Sequence, residues 1–131
     1  RRTYAACLRA TAEKLCQGGR VIVDATFRDD AWRVRFMQTA RRLGVRHVFL
    51  VTTCDSDVVR ERIRERGPGP SDADWEIHRK VAERWEAPSD DVARRTAEVD
   101  TGTTPEDAVA RGLEILRSAG LMEGSEEEEH R

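Results

Sequence analysis

No stretch of this 131-residue chain reads Gly-x-x-x-x-Gly-Lys-Ser/Thr. The loop that most often cradles phosphate through its backbone amides is therefore not encoded here. Lysine is scarce too, found only at Lys14 and Lys80, so arginine carries nearly all the positive charge. No apolar run approaches the roughly 20 residues that span a bilayer, and no secretory leader is visible. Net charge is −2 although 37% of residues are charged. Acids and bases offset one another, which removes any general drive toward nucleic acid or membrane surfaces. The three cysteines, Cys7, Cys16 and Cys54, lack the spacing of a zinc site or a disulfide set. They read as small buried apolar groups in a reducing, cytoplasmic setting. The chain opens on Arg1-Arg2-Thr3 rather than methionine, close to a helix start, which suggests a fragment or a processed chain.

What is present starts with Val21-Ile22-Val23-Asp24-Ala25-Thr26-Phe27. A β-branched run ending in one carboxylate predicts a buried parallel strand, Arg20 to Ala25, with Asp24 at its C-terminal edge. Open α/β sheets bind ligands at that edge. A carboxylate there holds a metal or faces a phosphate site; alternatively it caps the following turn.

Around that strand the apolar spacing predicts alternating elements. Tyr4, Leu8, Ala12 and Leu15 mark a first helix ending at Gly18-Gly19. Asp29 or Asp30 caps a second, carrying Trp32, Phe36 and Ala40 inward and stopping at Gly44. Val45 to Thr53 holds a second buried strand. Asp55 or Ser56 caps a third helix, which Gly67-Pro68-Gly69-Pro70 breaks. Ser71 or Asp72 begins a fourth, bearing Trp75, Ile77, Val81 and Trp85. A short helical turn over 89–95 and a third strand, Thr96 to Asp100, follow. Thr104-Pro105 starts the last helix, with Val109, Leu113 and Leu116 as its apolar stripe. Strands alternating with helices predict one α/β domain with a parallel sheet. The acidic run from Glu126 to Glu129 reads as part of a disordered tail, 121–131.

Four further places offer chemistry. Arg33 and Arg35, early in the second helix, are candidate anion ligands, against the alternative of solvated arginines. Arg62 and Arg66, four apart, share one helical face. They suit stacking on a base or forking onto phosphate, or else form a solvated face paired with glutamates. Ser71-Asp72-Ala73-Asp74 either closes over a ligand or caps a helix. Thr101-Gly102-Thr103-Thr104 links a strand end to a helix start, where backbone amides meet an adenine edge or an anion, or simply turn.

Taken in order, these pieces resemble the C-terminal two-thirds of a P-loop kinase, the group of adenylate kinase, gluconate kinase and the zeta toxins. The likeness is nearest to AAA-type ATP-binding kinase domains that are often fused to aminoglycoside-phosphotransferase-like domains. Gly19 to Phe27 followed by Arg33 looks like that group's Walker B region. Asp57 to Ile63 with Arg66 looks like its Arg-x-x-x-Arg entry to a lid, and Ser71-Asp72-Ala73 like its lid helix. Val99 to Glu106 is similar to its last strand and adenine loop. The resemblance implies a three-layer parallel sheet of the P-loop NTPase type, N-terminally truncated to three strands. It places the kinase-like domain at 1–120 with a lid around 67–88. It also implies that Asp24 holds Mg²⁺ through water and that Arg62 stacks on adenine. Arg66 touches phosphate, Thr103 and Thr104 meet the adenine edge, and Arg33 binds substrate.

The function so implied is the ATP-binding part of a small-molecule kinase, inactive alone, that transfers a γ-phosphoryl group to a hydroxyl. ATP and Mg²⁺ are its cofactors and an unnamed small molecule its acceptor. The alternatives are a non-catalytic α/β remnant that binds a partner through exposed sheet edges, and an unrelated nucleotide-binding domain without hydrolysis.

Overall fold

The structure, a computed structural model, describes residues 2–67 and 71–123. Helix α1 (Arg2–Cys16) leads through an extended segment to α2 (Asp30–Arg42), strand β1 (Phe49–Thr53) and α3 (Ser56–Glu65). Helices α4 (Ser71–Glu83) and α5 (Asp90–Ala93), strand β2 (Thr96–Asp100) and α6 (Pro105–Ser118) complete the order. The expected hinge residues 68–70, and the acidic tail from 124 on, lie outside the described residues.

The two strands pair in parallel, in a register that sets Phe49 beside Thr96 and Thr53 beside Asp100. Helix α6 packs on β2, α1 on α2, α2 on α5 and α3 on α4. The buried apolar core is small: Phe36, Met37 and Ala40 on α2, Val92 on α5, Val99 on β2 and Ile115 on α6.

The helix punctuation follows local chemistry. Thr104 caps α6, its Oγ1 accepting from the Asp107 amide at 3.2 Å, with Pro105 at the first helical position. Gly44 takes φ +67° just past α2, and the Val45 amide then bonds back to the Ala40 carbonyl at 2.9 Å. Asp29 occupies the N-cap of α2, but its carboxylate pairs with Arg28 at 3.0 Å and makes no cap bond.

The expected three-strand sheet is corrected to two strands among the described residues. Val21 to Asp24 joins no ladder, and Ile22 is 92% exposed instead of buried. A strand exists only where a neighbour accepts its backbone bonds, and apolar β-branched residues do not supply that neighbour. Leu50 and Thr52 of β1 are exposed as well, so the sheet is not covered on both faces as the apolar runs suggest. Val109 and Ile77 face solvent at 61% exposure each, whereas Ile115, outside the expected stripe, is buried on α6. Cys16 is exposed rather than buried, and Cys7 and Cys54 are half-buried.

Candidate functional site

The carboxyl ends of β1 and β2 form one edge, and the loops leaving it fold onto each other. Thr101 closes the β2 end by donating its amide and its hydroxyl to the Thr53 carbonyl, at 2.8 and 3.0 Å. Asp100 turns back on its own loop, Oδ1 accepting from the Gly102 amide at 2.7 Å. A Cβ at Gly102 would stand 3.0 Å from that oxygen and 3.7 Å from the Cys54 sulfur, so glycine keeps this loop close to the β1 end.

Arg62 reaches this edge from α3. Its guanidinium donates to the Thr101 carbonyl and approaches the Cys54 sulfur at 3.8 Å. Cys54 directly follows β1 and Thr101 directly follows β2, so one exposed guanidinium spans both strand ends. Arg66 stands one turn further on, at the C-cap of α3, exposed. Thr103 donates weakly to the Asp100 carbonyl at 3.5 Å, and Thr104 is committed to the cap of α6. The structure therefore brings Arg62 and the 101–104 loop together.

Asp24 lies on the extended segment, exposed, with no hydrogen bond or ion pair among the described residues. The segment itself is pinned just beyond it. The Tyr4 hydroxyl accepts from the Phe27 amide at 2.8 Å and lies 3.1 Å from Thr26 Oγ1. The Trp85 indole donates to the Thr26 carbonyl at 3.1 Å, and the Glu86 amide to the Arg28 carbonyl at 2.9 Å. Phe27 adopts φ +43°, a strained region for a bulky residue. Its ring packs on Tyr4, Phe36 and Phe49 at centroid distances of 5.4, 5.1 and 6.4 Å.

Arg33 is in neither of the settings expected for it, a solvated face or an open cleft. It is 2% exposed. Its Nε pairs with Asp30 at 3.0 Å, and its Nη2 donates to the Glu86 carbonyl. The guanidinium lies 4.1 Å from the centre of the Trp85 ring, while Nη1 is buried without a partner among the described residues. Glu86 adds its carboxylate to the Asp30 amide at 2.7 Å, at the positive end of α2. Trp85 and Glu86 were not expected at this site, because their partners lie more than fifty residues away in the chain. Arg35, by contrast, reaches out over Trp32 at 4.7 Å. Arg60 of α3 sits 5.5 Å over the Trp75 ring of α4 and links the two helices.

Lone Asp24 supplies one carboxylate, and no group of three or more His, Cys, Asp or Glu side chains gathers among the described residues. One such carboxylate could serve a divalent ion only where water and a bound ligand complete the ion's shell. No helix among the described residues is long and apolar enough to cross a membrane.

A family model described as an AAA domain matches residues 1–88. Comparison with curated proteins and with solved structures finds no match.

Proposed function

Because this chain belongs to the AAA domain family, a nucleotide-binding group, we propose that it is the ATP-binding part of a small-molecule kinase. The observation that carries this reading is Arg62, held at the joint carboxyl edge of β1 and β2 by the Thr101 carbonyl and Cys54. A guanidinium fixed through its edge leaves its planar face for an adenine ring. The Thr103 and Thr104 backbone lies on the loop beside it, suited to the polar rim of the base. Arg66, one helical turn away and exposed, would meet the phosphates.

Phosphoryl transfer to an acceptor hydroxyl is mostly positioning and charge neutralisation. Arg66 would neutralise the transferring group, and Asp24 would hold Mg²⁺ through water. When bound, Mg²⁺ offsets phosphate charge. Arg33 would serve the acceptor side only indirectly, by fixing the start of α2 against Trp85 and Glu86. The chain encodes no lysine-bearing phosphate loop of the usual pattern, so the isolated chain is expected to bind nucleotide without turning it over appreciably.

Titration with Mg-ATP, read by intrinsic fluorescence or calorimetry, tests this reading. Saturable binding is expected, weakened about tenfold in Arg62→Gln. Asp24→Asn should reduce the Mg²⁺-dependent part and leave the metal-free part intact. Binding that neither substitution affects would remove the reading. The second reading, a non-catalytic partner-binding module, draws on the exposed Ile22 and Leu50 and the unpaired 21–24 segment. It predicts no saturable nucleotide binding at all.

A further inference from the structure

The opposite edge of the sheet carries a separate feature. Parallel pairing sets the residues that precede β1 beside those that precede β2. The Phe49 amide donates to the Arg95 carbonyl at 2.7 Å and ties the two entry points together. Gly44 and Val45 turn the chain from α2 into this edge, which brings Arg41 along. The result is a pocket of about 330 Å³ whose polar lining includes Arg41, Arg46, His47 and Arg95.

The charges around it do not cancel. Arg41 faces Asp91 at 3.7 Å, but Asp91 is already shared with Arg94 at 3.0 Å. Arg46 donates to a neutral group, the Gly120 carbonyl at 3.3 Å. The absence of a Cβ at Gly120 is what lets that guanidinium come so near. Arg95 makes no ion pair among the described residues. His47 presents a buried Nε2 with no hydrogen-bond partner among them. Its protonation is disfavoured first by burial, with a Val45 backbone bond opposing, and then by the charges of Arg95 and Arg41. An anion in the pocket would offset that repulsion and so favour the protonated imidazole.

We propose that this pocket binds a small molecule bearing phosphate groups, at least doubly charged, at the end of the sheet opposite the Arg62 edge. Its volume falls at the lower end of small-molecule sites and exceeds what one phosphate fills. Three guanidiniums around one imidazole suit several oxyanion oxygens at once.

The probe is inorganic pyrophosphate, titrated into the full chain by calorimetry and followed by amide NMR. One saturable site is expected, with shifts at residues 41–47, 95 and 119–120, and with a rise in thermal midpoint. Arg46→Gln and Arg95→Gln should each weaken binding about tenfold while far-ultraviolet dichroism stays unchanged. Because pyrophosphate itself gains a proton at about pH 6, the His47 contribution is read as a difference: at about pH 6.5 the native chain should take up more protons on binding than His47→Gln does. The charged groups that face His47 are Arg95 and Arg41, and Asp91 stands behind Arg41 at 3.7 Å. The absence of saturation would overturn the proposal. So would shifts confined to residues 54 and 100–104, or affinity indifferent to both arginine substitutions.

Discussion

The guanidinium of Arg33 lies 4.1 Å from the centre of the Trp85 indole, and its Nη2 bonds the carbonyl of the next residue, Glu86. This single side chain clamps the start of α2 to the segment that follows α4. Because Glu86 returns its carboxylate to the Asp30 amide, the clamp closes from both sides. The same segment holds Thr26 and Arg28 through Trp85 Nε1 and the Glu86 amide. The position of Asp24 therefore depends on residues sixty positions further along.

Arg33→Ala is expected to cost about 3 kcal/mol, the usual penalty when one member of a buried polar set is removed. Arg33→Lys should recover little of it, since an ammonium neither forks onto two partners nor stacks flat on the indole. Urea denaturation reads both. A loss under about 1 kcal/mol in the alanine variant would show that the clamp holds little together.

Tyr4 and Phe27 should behave as one unit. Tyr4→Phe removes the acceptor for the Phe27 amide and is expected to cost about 1 kcal/mol. Phe27→Ala strips a ring packed on three others and should cost about 3 kcal/mol. The double variant should lose less than the sum, because both act on the same loop. Strict additivity in denaturant midpoints would contradict that coupling.

Stability should fall on mild acidification through His47. Burial lowers its affinity for protons in the folded state, so the unfolded chain binds the proton first. Folding stability is then full above the unperturbed histidine value of about 6.5 and declines as pH drops through and below it. Thermal midpoints measured at closely spaced pH values should show this slope, and His47→Gln should flatten it. A slope unchanged by that substitution would place its origin elsewhere.

Ile22, 92% exposed on a segment without a ladder, together with the open flank of β1, should make the chain self-associate as concentration rises. Ile22→Lys is expected to shift sedimentation toward the monomer at no cost in stability. Equal association by both proteins would locate the adhesive surface away from this segment.

Helix limits were readable from local chemistry, as Thr104-Pro105 and Gly44 show, because a cap satisfies backbone groups within a few residues of itself. The strand expected over Val45 to Thr53 forms only over Phe49–Thr53, whereas Thr96–Asp100 forms with the limits expected, and each finds the other as its partner. The equally apolar Val21-Ile22-Val23 looked the same on paper and joins no ladder among the described residues, none of which pairs with it. The Arg62 edge was half visible. Its spacing from Arg66 showed a shared face, but only folding revealed that Cys54 and the Thr101 carbonyl would receive it. The basic pocket left a trace in the arginines just ahead of both strands, yet its meaning depends on their being parallel neighbours.

Order, periodicity and punctuation are short-range properties, and the chain carries them within any few turns of itself. Which apolar run becomes a strand, and whether Arg33 turns inward, are settled between segments far apart in the chain. Backbone bonds and buried charges are satisfied only by whatever the folded chain brings alongside, and no local pattern encodes that meeting.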